Sequence, residues 1–102
     1  DITQGIEEDN VDVVMLDLAT PWDVVSHAYS SLKPSGILVS YSPTIEQTQK
    51  TVFAMKKNNF SDIETVECIV REILVRENKT RPTTFMVGHT GYITFGRKVL
   101  SL

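Results

Sequence analysis

One cysteine, Cys68, is all the chain has, so no disulfide can close within it. A stretch of 102 residues with 41% hydrophobic composition can bury one core, and one domain is the limit. No segment reads as a secretory leader or a membrane span, and a reducing, cytoplasmic setting without membrane or metal is the expectation. Bases are scarce in the first half. From Asp1 to Gln49 there are eight acids against Lys33 alone, a balance of -7, whereas Lys50 to Leu102 holds five acids and nine bases, a balance of +4. None of the five glycines falls in a GxGxxG pattern, and no internal repeat or low-complexity tract occurs. The chain does not begin with methionine and opens on a polar stretch, Asp1 to Asn10, which reads as a cut through a longer protein.

What is there centres on Val11 to Trp22, VDVVMLDLATPW. Val11, Val13, Val14, Met15 and Leu16 put apolar surface on both faces, which suits a central parallel strand. The run stops at Asp17. In open α/β sheets ligands bind beyond the carboxyl ends of the strands, so an acid that ends such a strand is placed to meet one.

After Ala19 and Thr20, Pro21 opens a helix with Val24, Val25, Ala28, Tyr29 and Leu32 at helical spacing, and Lys33 to Gly36 stops it. Ile37 to Tyr41 is a second strand with a polar mouth, Ser40-Tyr41-Ser42-Pro43. Thr44 and Gln47 form a capping-box pattern for a second helix whose apolar stripe is Ile45, Val52, Phe53 and Phe60, closed by Asn58-Asn59. Ile63 to Arg76 reads as a long strand near a sheet edge, with Cys68 in the alternation of Val66 and Val70 as a small core residue. A charged loop, Arg76 to Pro82, leads to a last strand from Thr83 to Leu100, in which Gly88 and Gly91 mark a bulge or a close backbone approach. The order strand, helix, strand, helix, strand, strand predicts an α/β sheet with three parallel strands and an antiparallel last one.

Four stretches together resemble the tRNA (adenine(58)-N1)-methyltransferase family, most like its archaeal homo-oligomeric members: VDVVMLDLATPW, LKPSGILVSYSP, RPTT and GHTGYITFGRK. The resemblance implies the C-terminal half of a Rossmann-like class I methyltransferase sheet, with the glycine-rich cofactor half outside this chain. It further implies methyl transfer from S-adenosylmethionine to adenine N1 in the T loop of tRNA by a full-length homotetramer, with the chain alone inactive. By the same resemblance Asp17 is the catalytic aspartate and Tyr41 lines the adenine pocket. His89, Thr90 and Arg81 fall in motifs that meet the RNA, and Asp1, Asp17 and Leu18 fall where the cofactor is held. The sequence departs from the family pattern at Ala19, Ser35 and Gly96, where proline, a second glycine and alanine are usual.

The chemistry accounts for such an acid. Adenine N1 is unprotonated at neutral pH and carries an in-plane lone pair, so it needs orientation and stabilisation of the positive charge that develops on the ring, not a strong base. Other readings compete. Asp17 can simply cap a helix, Tyr41 can be a core-edge residue, and His89 on an apolar face can be a core histidine. Arg81, Lys79, Arg76, Lys56 and Lys57 can meet phosphate or stay solvated. Two further function classes are a two-component receiver-like domain phosphorylated on Asp17 and a non-catalytic RNA-binding subunit. A Lys-Pro after a later strand, which a receiver needs, is missing. For the chain by itself, self-association through the exposed edge of the first strand is expected.

Overall fold

The computed structural model of the chain describes residues 9–70, 73–75, 77, 81–82 and 87–100. Strand β1, Val11–Leu16, pairs in parallel with β2, Leu32–Ser42. The connection between them is a 3-10 turn, Pro21–Asp23, followed by helix α1, Val25–Ser31. The helix expected from Pro21 through Leu32 is therefore shorter at both ends. Leu32 is already extended, and the next residue precedes Pro34, whose ring disfavours the helical region for Lys33.

Strand β2 in turn starts earlier than the expected Ile37. Its ladder with β1 skips from Val11 opposite Leu32 to Val13 opposite Ile37, so the LKPSG segment is an irregularity within the strand, not a separate turn. Ser35 takes a left-handed φ of 69° there. Gly36 is buried, and a β-carbon on it would stand 2.8 Å from Leu32 Cδ2 and 2.9 Å from the Lys33 carbonyl oxygen. An exposed ion pair between Lys33 and Asp12 ties the irregularity to β1 but contributes at most about 1 kcal/mol in water.

Helix α2, Ile45–Lys57, begins at the expected Thr44 cap. Thr44 Oγ1 accepts from the Gln47 backbone N at 3.2 Å, and its hydroxyl reaches Gln47 Oε1 at 2.9 Å. Asn58 closes it, and Asn59 has a left-handed φ of 62°. The expected inward stripe is wrong in part: Ile45 and Phe53 are exposed, and the buried positions are Thr48, Thr51 and Met55. Each threonine hydroxyl donates to a carbonyl one turn back, Thr44 and Gln47 respectively, so no donor is left unmade when the helix lies on the sheet.

Strand β3, Phe60–Val70, runs antiparallel to β6, Val87–Lys98, and a small ladder joins β4, Ile73–Leu74, to β5, Arg81–Pro82. Phe60 thus opens β3 instead of ending α2. Part of the segment read as a charged loop is strand β5. The main sheet has the order β1-β2-β6-β3. Because β6 is antiparallel to both β2 and β3, the third strand does run parallel to the first two, but β6 separates it from them. The bulges foreseen at the glycines are present: Cys68 faces Gly91, Ile69 faces His89 and Val70 faces Val87, leaving Thr90 and Gly88 as extra residues on β6. Cys68 is half-buried on this pair.

Helices α1 and α2 cover one face of the sheet. Val14, Leu16, Val24, Val25, Ala28, Leu32, Leu38, Met55 and Phe60 form the core. A fully buried methionine such as Met55 is worth about 1.5–3 kcal/mol over an exposed one. Gly96 leaves room for it: a β-carbon there would come 2.4 Å from Met55 Cε. The other face carries Val13 and Met15, 49% and 76% exposed, with Ile37, Val39, Ile93 and Phe95 half-buried. Strand β1, read as central, is therefore covered on one face only and has β2 as its sole neighbour among the described residues. None of the described helices is long and apolar enough to cross a membrane.

Candidate active site

The two parallel strands end together. Leu16 lies opposite Ser40, and the next residues along each strand are Asp17 and Tyr41. In a parallel pair, residues at matching positions project to the same side of the sheet. Asp17 and Tyr41 accordingly line one cavity of about 310 Å³ together with Met15, Leu16, Val39 and Ile93. Its walls are apolar, and the exposed Asp17 carboxylate and the half-buried Tyr41 phenol stand on its lining.

Local contacts hold this end of the sheet. The Gln47 side chain that completes the α2 cap also donates through Nε2 to the Ala19 carbonyl at 3.2 Å, tying the start of α2 to the turn just after Asp17. The sequence pattern identified Gln47 as a cap; its second bond, across 28 residues, carries no local signal. Tyr41 is packed from the opposite strand by Gly91, whose missing side chain leaves the space that the ring fills. Met15, the most exposed large apolar residue of β1, is a cavity wall that the strand pattern did not single out.

The remaining expected site residues fall elsewhere. Leu18 is half-buried against the core cluster. His89 and Thr90 lie on β6 where it bulges, and Arg81 lies on β5, in the small ladder and not in the sheet that carries Asp17 and Tyr41; their side chains are outside the described ones. Asp1 lies outside the described residues. Tyr92, on the helix-covered face opposite Ser42, was not singled out by the sequence. Partial burial, the Glu67 carboxylate opposite it on β3, a hydrogen bond to that carboxylate and the more distant Glu46 all push its phenol up from the ordinary value.

The sequence and the fold are both similar to those of known methyltransferases. The chain is 50% identical over 98 residues to the tRNA (adenine(57)-N(1)/adenine(58)-N(1))-methyltransferase TrmI of Methanocaldococcus jannaschii, covering 95% of this chain and 35% of that protein. It is 38% identical over 90 residues to the tRNA (adenine(58)-N(1))-methyltransferase catalytic subunit TRM61 of Candida albicans, covering 85% of this chain and 27% of the relative. Among solved structures, a SAM-dependent O-methyltransferase from Thermotoga maritima superposes with a TM-score of 0.89 at 32% identity, over all of this chain and 38% of that one. The tRNA (m1A58) methyltransferase TrmI of Aquifex aeolicus does so with a TM-score of 0.84 at 26% identity, over 99% of this chain and 41% of that one. The chain thus spans well under half the length of these two curated relatives. The α/β fold is that of Rossmann-like, SAM-dependent methyltransferases, and the antiparallel β6 beside β2 sets the receiver-like reading aside. Residues 2–81 match the family described as tRNA methyltransferase complex GCD14 subunit, and the chain belongs to that family.

Proposed function

We propose that the intact protein to which this chain belongs methylates N1 of an adenine in the T loop of tRNA with S-adenosylmethionine as donor, and that the chain is the base-binding, C-terminal half of its catalytic domain. The observation that carries the reading is the pairing of Asp17 and Tyr41 on one apolar cavity at the carboxyl ends of β1 and β2. The donor set fits both reactants. An exposed carboxylate beside apolar walls accepts from the exocyclic amine of a flat base, and the Tyr41 ring offers a stacking face to a base taken out of its loop. Of the residues assigned to the cofactor, Asp17 stands on this rim and would hold the donor there, where it would supply an electrophilic methyl carbon on a sulfonium; Leu18 packs against the core cluster and is not part of the cavity lining. No GxGxxG pattern occurs in this sequence, so the main cofactor contacts are assigned to the other half of the domain.

The residues of this chain then have defined work. Accepting from the adenine amino group, Asp17 turns the N1 lone pair toward the methyl group. The ring would take up a positive charge as N1 accepts the methyl carbon that the bound donor would supply. The Asp17 carboxylate stabilises that charge without taking a proton. Tyr41, with Met15, Val39 and Ile93, holds the base plane and excludes water.

The test is methylation of tRNA by the intact protein, with the product nucleoside identified by mass spectrometry. Formation of N1-methyladenosine that is lost in Asp17→Ala supports the reading. Unchanged methylation in that variant removes Asp17 from the chemistry, and tRNA binding with no methylation by the wild-type protein makes the chain part of a non-catalytic RNA-binding subunit. The 102-residue chain alone is expected to be inactive and to self-associate through the edge of β1, and sedimentation that shows a monomer at all concentrations overturns the latter. The homotetramer that the resemblance implies is proposed for the intact protein on the same footing.

A further inference from the structure

Trp22, Lys50, Phe53, Ala54 and Lys57 line a shallow groove of about 290 Å³ between the 3-10 turn and α2. It is separate from the Asp17 cavity. The two share no residue, and α2 packs on the face of the sheet opposite Met15 and Val39. Lys50 Nζ sits 4.9 Å from the centre of the Trp22 ring, a cation–π contact that holds the ammonium at the rim. Phe53 is 55% exposed, an aromatic side chain for which the core has no use. At spacings of three and four residues, Lys50, Phe53 and Lys57 share one helix face over about 10 Å of helix axis. Lys56 is exposed beside them. Neither Lys50, Lys56 nor Lys57 makes an ion pair with a carboxylate among the described residues.

Cations set beside an exposed aromatic ring, Phe53, and a half-buried one, Trp22, suit one class of partner. Phosphates meet the ammonium groups, and a base or ribose edge meets the rings, with no sequence read. A protein partner with a plain apolar patch would leave two or three lysines desolvated and unpaired, which is costly. We propose that the Trp22–Lys50–Phe53–Lys57 groove is a second RNA-binding surface, one that holds the body of a structured RNA while the base to be modified enters the Asp17 cavity. The occupant is RNA because the surface charge is complementary to it. The identification of that RNA as tRNA rests on the function proposed above; binding at the groove does not.

The experiment uses the intact protein and full-length tRNA, without cofactor, in equilibrium binding at several salt concentrations. Lys50→Glu/Lys57→Glu is expected to weaken binding at least tenfold at low salt and to lower the slope of log K against log salt by between 1 and 2. Phe53→Ala should weaken binding with the slope unchanged. In methylation assays the double variant should raise KM for tRNA and leave kcat at saturating tRNA as in the wild type. Unchanged affinity and slope in the double variant overturn the proposal, as does a change in oligomeric state with affinity for tRNA retained, which would make the groove a protein interface. A wild-type protein that binds tRNA through the groove but forms no N1-methyladenosine would instead refute the proposed function and leave the groove standing.

Discussion

The ring of Tyr41 lies where a side chain on Gly91 would begin, with a β-carbon there falling 2.5 Å from both Tyr41 Cε1 and Oη. Gly91 also has a φ of +156°, which few L side chains adopt. The two residues are on antiparallel neighbours, β2 and β6, at the point where β6 carries an extra residue, Thr90. The glycine therefore sets how far the phenol can lean over the cavity. Gly91→Ala is expected to push the ring toward Asp17 and to cost about 1–3 kcal/mol in stability from the strained backbone. Steady-state kinetics should show KM for tRNA rising while that for the cofactor stays put. A variant with wild-type kinetics and stability would mean that the ring moves without consequence.

Tyr41 and Asp17 make different demands on substitution. If the ring is a stacking face, Tyr41→Phe keeps it and should retain most activity, while Tyr41→Ala loses about 1–3 kcal/mol of binding to the base. Asp17→Asn keeps an acceptor but not the charge, and its kcat is expected to fall about 100- to 1,000-fold with tRNA affinity little changed. Single-turnover methylation with tRNA in excess checks both. Equal losses in Tyr41→Phe and Tyr41→Ala would point to the hydroxyl instead of the ring.

Tyr92 supplies a pH signature. Partial burial and the Glu67 carboxylate raise its phenol above the ordinary value of 10.0, so the neutral, hydrogen-bonded form is favoured in the fold. The sign follows: the contribution to stability is fully present below the unfolded phenol value and is lost as pH rises through the raised one. In UV-monitored alkaline titration Glu67→Gln should bring one tyrosine back toward 10 and shift the onset of alkaline unfolding. Identical titration curves for variant and wild type would refute the pairing.

Features written in a few neighbouring residues were legible before the fold was known. An apolar run that stops at an acid placed Asp17 at a strand end, Thr44 and Gln47 marked a helix start, and two glycines around His89-Thr90 marked a bulged strand. What failed depends on contacts between distant residues. Nothing local shows that β6 inserts between β2 and β3, because both hairpin pairing and insertion satisfy the same alternation. The stripe of α2 was misread because apolar character was taken as the sign of burial. Thr48 and Thr51 satisfy their hydroxyls within the helix and go in, while Phe53 stays out. Gln47 reaching Ala19, and Tyr41 filling the space at Gly91, are likewise tertiary facts.

Lys98 tests the far end of the sheet. Its ammonium donates to the carbonyls of Tyr29 and Leu32, both at 2.7 Å, and lies 4.4 Å from the centre of the Tyr29 ring. Those carbonyls belong to the last turn of α1, where the helix has no donors of its own and a positive charge is favoured. Tyr29 closes the arrangement by donating its hydroxyl to the Val99 carbonyl at 2.6 Å and meeting Phe60 edge to face. Since Lys98 is part-buried, removing its charge leaves two acceptors poorly served, and Lys98→Met should cost about 1–3 kcal/mol. Urea denaturation is expected to show a lower midpoint with an unchanged slope, and Lys98→Arg an intermediate value. Because Asp17 stands at the opposite end of β1 and β2, the kcat of Lys98→Met below its unfolding transition should match the wild type. A midpoint that does not move would show that water serves the end of α1 as well as the lysine does.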